Sequence, residues 1–566
     1  QMPEASSTDP WSHLDAWHGR WLPELTRRPP SPTLVTKAAM EEVEHMFNGE
    51  ESSSEEDDSE TDDDDVRYPL PAHRMPVHDD ENIGLQPKQP QSDRRPLGAT
   101  PQRVTSGSDE ADEARAPFQP LTPITERTER TDSSRWTLDV PSEDAMPYGG
   151  LRAPPTSLAI PNPCSPADPD IVSTLLSNLA RPVTQLPGYV DEAHESQYLS
   201  TLRARLDARS RRSSVGNGCD VQVADMQLSV YSRLGEGGFG SVFLAQDMNE
   251  SVPLAGQVTA SYADVDQDDI DELERRQMLA LKIESPPNPW EFYILDQLRH
   301  RLPDQLQASI VGARRFVSCA NESLLLLEYA SMGTLLELVN HAAEAGVSSV
   351  LGQGGGVEEV LAMFFVNELC RIVQGMHEAG LIHGDLKIDN CMIRADDVDE
   401  WTSTYAADGS GGWAAKGVTL IDFGRAIDMC CYPPDQRFLA DWQPGAQDCV
   451  EMREMRPWTY QADYYGLASI AHCLLFGKYM DTTCYVNDDG LKTYKIQQSL
   501  RRYWQTDLWT RFFHLMLNST HYPAVGPQLT ELRAEMDAWL TAHSFHAGKN
   551  LKGLLKKVEI WALRRV

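Results

Sequence analysis

The sequence predicts an α+β protein of two lobes, preceded by an N-terminal extension and by a largely disordered arm. Sustained hydrophobic periodicity is absent over residues 1–155, and from about residue 225 strand-like and helical apolar patterns continue to the end. The second part also carries a glycine-rich hairpin signature followed by charged motifs in a fixed order. We therefore divide the chain into an arm (1–155), an extension (156–224), an N-lobe with hinge (225–335) and a C-lobe (336–566).

Composition excludes several classes of protein. The 566 residues hold 85 acidic and 50 basic side chains, a net charge of −35, so direct sequence-specific nucleic acid binding is not expected. The ten cysteines show no CxxC pair and no zinc spacing. No apolar run reaches 18 residues and no signal peptide opens the chain, so membrane insertion and secretion are not expected. Gln1 in place of methionine indicates a C-terminal fragment of a longer protein.

The arm and the extension differ in their apolar content. The arm contains the acidic run Glu51–Asp65 and many prolines, and such a segment buries too little apolar surface to offset its ordering entropy. Within it, Ser31–Phe47 has apolar residues near helical spacing, which fits either a partner-docking helix or a transient one. In the extension, residues 170–183 predict an amphipathic helix that stops at Pro182.

Three insertions interrupt the two lobes, an acidic one at 264–276, a glycine-rich one at 342–357 and one rich in glycine, aspartate and serine at 396–416. Their composition predicts surface loops without chemistry of their own.

The glycine-rich motif spans Leu234–Val242 and matches G-x-G-x-x-G-x-V through Gly235, Gly237, Gly240 and Val242. Residues without a Cβ let the backbone approach the phosphates of a nucleotide. The motif by itself is also compatible with a hairpin that binds nothing or with a dinucleotide-binding fold. The strand-like sequence that follows disfavours the dinucleotide fold, which requires a helix there.

The next strand carries a lysine suited to phosphate binding. Met278–Glu284 alternates in polarity and contains Ala280 and Lys282. A lone strand lysine is usually only solvated, but its place after the glycine-rich hairpin points to contact with the phosphates. Such a lysine needs a carboxylate to hold it, and Glu291, nine residues later at the start of a helical pattern, is the predicted partner, unless it is a plain surface glutamate.

Residues 323–335 predict a buried strand followed by a break at small residues. Read alone, they form a core strand and a turn. Read after the phosphate-binding motifs, they form a hinge in which Leu327 borders the adenine pocket. Glu328 and Ala330 would then offer backbone groups to the adenine ring.

The motif that decides the chemistry is His383–Asn390. In it, Asp385 fits a base that accepts the proton of a substrate hydroxyl, and Lys387 fits a cation that steadies the charge of the transferring phosphoryl group. Asn390 and the later Asp422, in Asp-Phe-Gly after an apolar strand, fit ligands of Mg²⁺. Five elements in this order are typical of a bilobal eukaryotic protein kinase fold using ATP and Mg²⁺, and Lys387 favours serine or threonine as acceptor.

Further residues resemble the Bub family of mitotic spindle-checkpoint kinases. The resemblance covers about residues 160–566 and is carried by five segments, Asn288–Tyr293, His383–Asp385, Glu451–Gly466, Leu475–Met480 and Trp509–Phe513. It implies a serine/threonine kinase of the nucleus and of mitotic kinetochores and centromeres. It also implies a core histone tail and checkpoint proteins as substrates, and kinetochore and checkpoint proteins as partners. The alternative is a checkpoint scaffold whose kinase fold mainly binds partners.

The sequence also departs from the common kinase pattern. Gly384 stands where most kinases place an arginine that pairs with a phosphorylated activation segment. We therefore hypothesise that residues 160–187 order the site instead, by packing near Glu291. Glu451, in Cys-Val-Glu, lies twelve residues before Asp463. This spacing is like that between the glutamate of the Ala-Pro-Glu motif, which ends the activation segment of kinases, and the aspartate of the following long helix, so the substrate-binding platform is predicted to be altered. The resemblance places the chain in the branch that keeps its catalytic residues.

Overall fold

The computed structural model describes residues 160–210, 218–237, 240–249, 278–349, 355–544 and 550–565. The predicted arm 1–155, with its possible helix Ser31–Phe47, lies outside the described residues. So do the acidic insertion predicted at 264–276 and the two residues Gly238 and Phe239 of the glycine-rich motif.

The N-lobe is built on a seven-stranded sheet in the order β1-β6-β7-β5-β4-β3-β2. Only β1 and β6 pair in parallel, and the other neighbours are antiparallel. Strands β1 and β2 precede residue 225, so the sheet takes up strands from the segment assigned to the extension. The strands are β1 Tyr189–Asp191, β2 Cys219–Val223, β3 Met226–Glu236, β4 Gly240–Asp247, β5 Met278–Glu284, β6 Ala313–Ser318 and β7 Ser323–Glu328.

The strand register sorts side chains onto two faces of this sheet. Val242 lies opposite Lys282, and Ala280 lies opposite Leu327, so these four predicted site residues share one face. The other face is apolar and buried. It packs under helix α2 (Tyr198–Ser210) of the extension, whose Leu202 is completely buried.

The extension begins with helix α1, Pro169–Ser177, which overlaps the segment 170–183 predicted as amphipathic but ends at Ser177, before the predicted stop at Pro182. Asp168 caps it by accepting a hydrogen bond from the Asp170 amide at 2.9 Å, and Pro169 takes the first turn, where its missing N–H has no partner to lose. Ile171 and Leu175 are buried, which confirms the predicted apolar side of this helix.

Helices α3 and α4 complete the N-lobe, and the C-lobe is mainly helical. Its centre is α6, in which nearly all apolar residues are buried, packed against α8 and α10. No helix in the described ranges is both long and apolar enough to cross a membrane. The helices are α3 Trp290–Arg301, α4 Asp304–Gln307, α5 Leu335–Asn340, α6 Glu359–Glu378, α7 Val450–Arg453, α8 Gln461–Phe476, α9 Thr506–Leu517, α10 Val525–His543 and α11 Leu551–Leu563.

Three short antiparallel pairs complete the C-lobe, two of which lie beside the cleft. They are β8 Leu381–Ile382 with β11 Ile427–Asp428, β9 Cys391–Ala395 with β10 Lys416–Leu420, and β12 Thr482–Val486 with β13 Lys492–Ile496. The first two pairs flank the loop that contains Asp385 and the segment that contains Asp422, so they fix both segments against the C-lobe core.

The insertion at 396–416 is not the plain surface loop that its glycine, serine and aspartate content predicts. Tyr405 and Trp413 are buried, and both rings contact Phe364 of α6 edge-on. The Tyr405 hydroxyl donates a hydrogen bond to Asp537 on α10 at 2.8 Å. The prediction is wrong here because two aromatic rings supply enough apolar surface to extend the core of the C-lobe.

Candidate active site

The predicted lysine and its carboxylates meet in the cleft between the lobes. Lys282 Nζ donates to Glu291 Oε2 at 2.7 Å and to Asp422 Oδ1 at 2.8 Å. The other oxygen of Glu291 accepts a hydrogen bond from the Phe423 amide at 3.1 Å. Glu291 therefore ties helix α3 both to strand β5 and to the Asp-Phe-Gly segment.

A third carboxylate in this cluster was not predicted. Glu284 Oε1 lies 3.6 Å from Lys282 Nζ. Burial raises the pKa of Glu284 to about 7, because it outweighs the opposing attraction of Lys282. Its position two residues after Lys282 in an alternating strand is a signal that the sequence does contain.

The charges in the cluster stabilise one another. Burial alone would lower the pKa of Lys282, but Asp422 and then Glu291 raise it well above its usual range. Lys282 in turn lowers the pKa of Asp422 despite the burial of that carboxyl. At neutral pH, Lys282 is therefore a cation and Asp422 an anion, the forms that phosphate and metal binding require.

The catalytic-loop residues form a second cluster. Lys387 Nζ donates to Asp385 Oδ2 at 2.8 Å. Asn390 Nδ2 donates to the Asp385 carbonyl at 2.9 Å, and the Asn390 carbonyl accepts from the Ile421 amide at 3.1 Å. These bonds bring the catalytic loop and the start of the Asp-Phe-Gly segment together, although residues 391–420 separate the two in sequence.

A buried carboxylate from α8 holds the catalytic loop. Asp463 is fully buried and accepts hydrogen bonds from the amides of His383 and Gly384 at 2.8 and 2.9 Å. His377 Nε2 lies 2.9 Å from the same carboxyl. Burial would raise the pKa of Asp463, but the hydrogen bonds from His377 and the loop lower it. The sequence located Asp463 by spacing only, and its contact with the loop emerges from the fold.

The backbone conformation at position 384 also requires a glycine. Its φ of +76° lies in the left-handed region, and a Cβ at this position would lie 2.4 Å from the Arg425 carbonyl oxygen. A side chain here would therefore strain the backbone and displace the start of the activation segment.

The described part of the glycine-rich motif shows two different uses of glycine. The Gly237 amide donates to the Gly240 carbonyl at 3.0 Å, which closes the hairpin. At Gly240 a Cβ would lie 2.1 Å from the Ile283 carbonyl oxygen, so packing against β5 excludes a side chain. At Gly235 a Cβ would meet no atom of the described residues within 4 Å, so this position leaves room for a ligand.

The predicted hinge follows strand β7. Leu327 is buried, and the Glu328 amide donates to the Gly312 carbonyl at 2.9 Å, while Ala330 is partly exposed beyond the strand. Leu327 thus lies on the same face of the sheet as Ala280, as the border of an adenine pocket would.

Helix α3 is also clasped to the activation segment by residues that the sequence did not single out. Arg301 forms two hydrogen bonds of 2.8 Å with the two oxygens of Asp428, which is completely buried. Tyr293 donates to the same carboxylate at 2.8 Å, and Trp290 Nε1 donates to the Ala426 carbonyl at 2.7 Å. The helix that carries Glu291 is therefore held without a phosphorylated residue.

The start of the extension binds the middle of the activation segment. Asn162 Nδ2 donates to the Asp435 carbonyl, and its Oδ1 accepts from the Arg437 amide, both at 3.0 Å. Residue Cys164 pairs with Phe438, which pairs in turn with Trp458. The extension thus reaches the segment that follows Asp422, while the buried residues Ile171 and Leu175 of α1 belong to the same core as those of α3.

The site fits a nucleotide with Mg²⁺. Because the Asn390 amide nitrogen is used to hold Asp385, its amide oxygen is available as a metal ligand beside the anionic Asp422. The open position at Gly235 and the cationic Lys282 suit phosphate groups. Adenine would enter from the Leu327 side of the same sheet face.

Comparison with known proteins identifies the family. The family model for the protein kinase domain matches residues 228–518. The spindle assembly checkpoint serine/threonine-protein kinase bub1 of Schizosaccharomyces pombe is 37% identical over 381 residues, which cover 65% of this chain and 35% of that protein. The Saccharomyces cerevisiae kinase BUB1 is 33% identical over 381 residues, covering 67% of this chain and 34% of that protein.

The fold agrees with this comparison. The crystal structure of the BubR1 kinase domain superposes with a TM-score of 0.52 and 24% sequence identity, covering 70% of this chain and 99% of that one. The chain spans about a third of the length of the two yeast relatives. The predicted bilobal kinase fold and the resemblance are both confirmed, and the chain belongs to the protein kinase family and, within it, to the Bub serine/threonine kinases.

Proposed function

We propose that this chain is an active serine/threonine kinase of the spindle assembly checkpoint that transfers the γ-phosphate of ATP to proteins. The observation that carries the proposal is the bond of Lys282 to both Glu291 and Asp422, at 2.7 and 2.8 Å. This bridge requires helix α3 and the Asp-Phe-Gly segment to be in position together, which is the arrangement that phosphoryl transfer by protein kinases needs.

Each predicted residue has a distinct part in the proposal. Asp385 accepts the proton of the substrate hydroxyl, and Lys387 stabilises charge on the phosphoryl group as it moves. Lys282 binds the α- and β-phosphates and is oriented by Glu291. Asn390 and Asp422 would hold Mg²⁺, which neutralises phosphate charge when bound. The remaining nucleotide contacts come from the glycines and the adenine border, namely Gly235, Gly237, Gly240, Val242, Ala280, Leu327, Glu328 and Ala330.

The substrates and the location follow from the names of the relatives and from the family resemblance. The yeast proteins are named spindle assembly checkpoint kinases. We propose that this chain acts in the nucleus at mitotic kinetochores and centromeres, on a core histone tail and on checkpoint proteins. Kinetochore and checkpoint proteins are its proposed partners.

The direct test is phosphate transfer to purified core histones. We expect labelled phosphate to appear on serine or threonine when the chain is given ATP and Mg²⁺, and to disappear when the metal is chelated. Phosphoamino acid analysis of the product identifies the acceptor. Transfer no greater than that of the Asp385→Asn variant would contradict the enzyme proposal and favour a checkpoint scaffold.

We also propose that the extension keeps the activation segment in its active arrangement. Asn162→Ala combined with Gln436→Ala removes the two Asn162 bonds and the bond from Gln436 Nε2 to the Pro161 carbonyl, at 2.9 Å. At about 1 kcal/mol net for each bond, we expect kcat to fall at least about tenfold. The measurement is the steady-state rate on histone.

Asn178→Ala is the matched control for this double variant, because Asn178 Nδ2 bonds only within α1, to the Thr174 carbonyl at 2.7 Å. We expect its rate to stay within about twofold of the wild type, since no contact with the activation segment is lost. An unchanged rate in the Asn162→Ala, Gln436→Ala variant would contradict a role of the extension in ordering the site.

A further inference from the structure

The second helix of the extension lies against the strands that form the glycine-rich hairpin. Leu202 of α2 is completely buried in the same apolar cluster as Phe243 of β4 and Leu281 of β5. This contact fixes α2 on the face of the sheet opposite Val242 and Lys282. The helix therefore supports the hairpin from the side that a nucleotide does not occupy.

The neighbouring residue, Arg203, reaches the base of the hairpin. Its Nε and one terminal nitrogen donate to Ser241 Oγ at 3.1 and 2.9 Å. The same terminal nitrogen lies 3.0 Å from Glu236 Oε1 and 3.5 Å from the Gly240 carbonyl oxygen. One guanidinium thus joins the end of β3 to the start of β4, and its acceptor Ser241 is almost completely buried.

These contacts surround the glycines that are proposed to bind phosphate. Glu236 lies between Gly235 and Gly237, and the Gly240 carbonyl is also the acceptor that closes the hairpin. A planar guanidinium that bonds both strands restricts their relative movement, since its donors have fixed directions. Together with Arg233, whose guanidinium donates to Glu236 Oε2 at 2.6 Å, it also balances the negative charge of Glu236 beside the phosphates of ATP.

We propose that Arg203 is a positioning residue for nucleotide binding, through which the extension sets the affinity of the site for ATP. The inference rests on the proposed kinase function and deepens it. A hairpin that is ordered before binding loses less conformational entropy when the phosphates arrive, so the effect falls on nucleotide affinity. Arg203 does not touch the phosphates, and the rate of the chemical step is set by other residues.

The test compares two arginines of the same helix. In Arg203→Ala we expect the KM for ATP and the Kd for a fluorescent ADP analogue with Mg²⁺ to rise about fivefold, the size expected when one ordinary hydrogen bond is lost. We expect kcat to stay within about twofold. Arg205→Ala is the control, because Arg205 bonds only the Asp220 carbonyl of β2, at 3.3 Å, and both constants should stay unchanged.

Two more variants separate positioning from general stability. Arg203→Lys keeps the charge but loses the fork, so its Kd should lie between those of the wild type and Arg203→Ala. Ser241→Ala removes the acceptor, so it should weaken ADP binding. The loss of binding free energy in the double variant Arg203→Ala, Ser241→Ala should be smaller than the sum of the losses in the two single variants. A purely structural role would instead lower the melting temperature and leave the Kd for ADP unchanged.

The outcomes distinguish this inference from the function on which it rests. If the wild type binds ADP and phosphorylates histone while Arg203→Ala has the same Kd, the inference is overturned and the kinase function stands. If Arg203→Ala does not fold, an unchanged Kd in Ser241→Ala overturns the inference. If the wild type neither binds the nucleotide nor transfers phosphate, the proposed function fails and the inference fails with it.

Discussion

Asp385→Asn is expected to lower kcat for histone phosphorylation by about 10²- to 10⁴-fold, the contribution typical of a general base. The asparagine has the same shape, and the backbone carbonyl that Asn390 holds at 2.9 Å is kept. What is lost is the negative charge that accepts the hydroxyl proton and that pairs with Lys387 at 2.8 Å. The KM for ATP should change less than about twofold, since Asp385 contributes little to nucleotide binding in this arrangement.

The control for this prediction is another exchange of aspartate for asparagine. Asp488 is exposed in the turn between β12 and β13, and Asp488→Asn should leave kcat unchanged. Circular dichroism and the melting temperature verify that both variants fold. If folded Asp385→Asn kept more than about a tenth of the wild-type rate, Asp385 would not be the catalytic base.

Asp428→Asn is expected to reduce the free energy of unfolding by about 3 kcal/mol, because it leaves the Arg301 guanidinium without its buried counterion. Asp428 is completely buried and accepts bonds from Arg301, from the Tyr293 hydroxyl and from the Cys430 amide. An amide in its place presents an N–H group to one of these donors. Urea unfolding followed by circular dichroism measures the change.

The same change should slow catalysis, because Arg301 and Tyr293 belong to the helix that carries Glu291. We expect kcat to fall at least about tenfold. This corresponds to a shift of about 1.4 kcal/mol in the equilibrium between the active and the released positions of α3. The loss should persist at temperatures where the variant is fully folded. A folded variant with the wild-type kcat would show that the clasp stabilises the fold without positioning Glu291.

An exposed ion pair provides a comparison for the buried pair of Arg301 and Asp428. Arg511 and Glu535 also form two hydrogen bonds, but both side chains are more than a third exposed. Glu535→Gln should therefore reduce stability by less than about 1 kcal/mol and leave kcat unchanged. Equal losses from the two variants would contradict the view that burial gives the Asp428 pair its importance.

The candidate site residues that were predicted from the sequence all lie in short motifs. The separation of Lys282 and Glu291 is only nine residues, and the loop with Asp385 and Asn390 is continuous. Local spacing and residue type predict the pair of Lys282 and Glu291. The order of the kinase motifs predicts that Asp422 joins them, although it lies 140 residues after Lys282, and the structure places Lys282 within hydrogen-bond distance of both carboxylates. Glu284 carries a local signal of the same kind.

The residues that the sequence did not identify act across long separations. Arg301 and Asp428 are 127 residues apart, and Asn162 and Arg437 are 275 apart. In the sequence, an arginine at the end of a helical pattern and a distant aspartate have no pattern that distinguishes them from solvated charges. The packing of the insertion 396–416 has a different cause, because small polar residues dominate its composition while the buried rings of Tyr405 and Trp413 decide its packing.

In the sequence, glycine, charge and hydrophobic patterns predict the kinase fold and the chemical groups of the cleft, because these patterns act over a few residues. The resemblance of further segments indicates the Bub family. The sequence also showed that Gly384 removes the usual receiver of an activation-segment phosphate. The contacts that hold α3 and the activation segment are visible only in the tertiary structure. Asp428 clasped by Arg301, and the extension bonded to residues 435–439, depend on which distant segments the fold brings together, and no local pattern encodes that proximity.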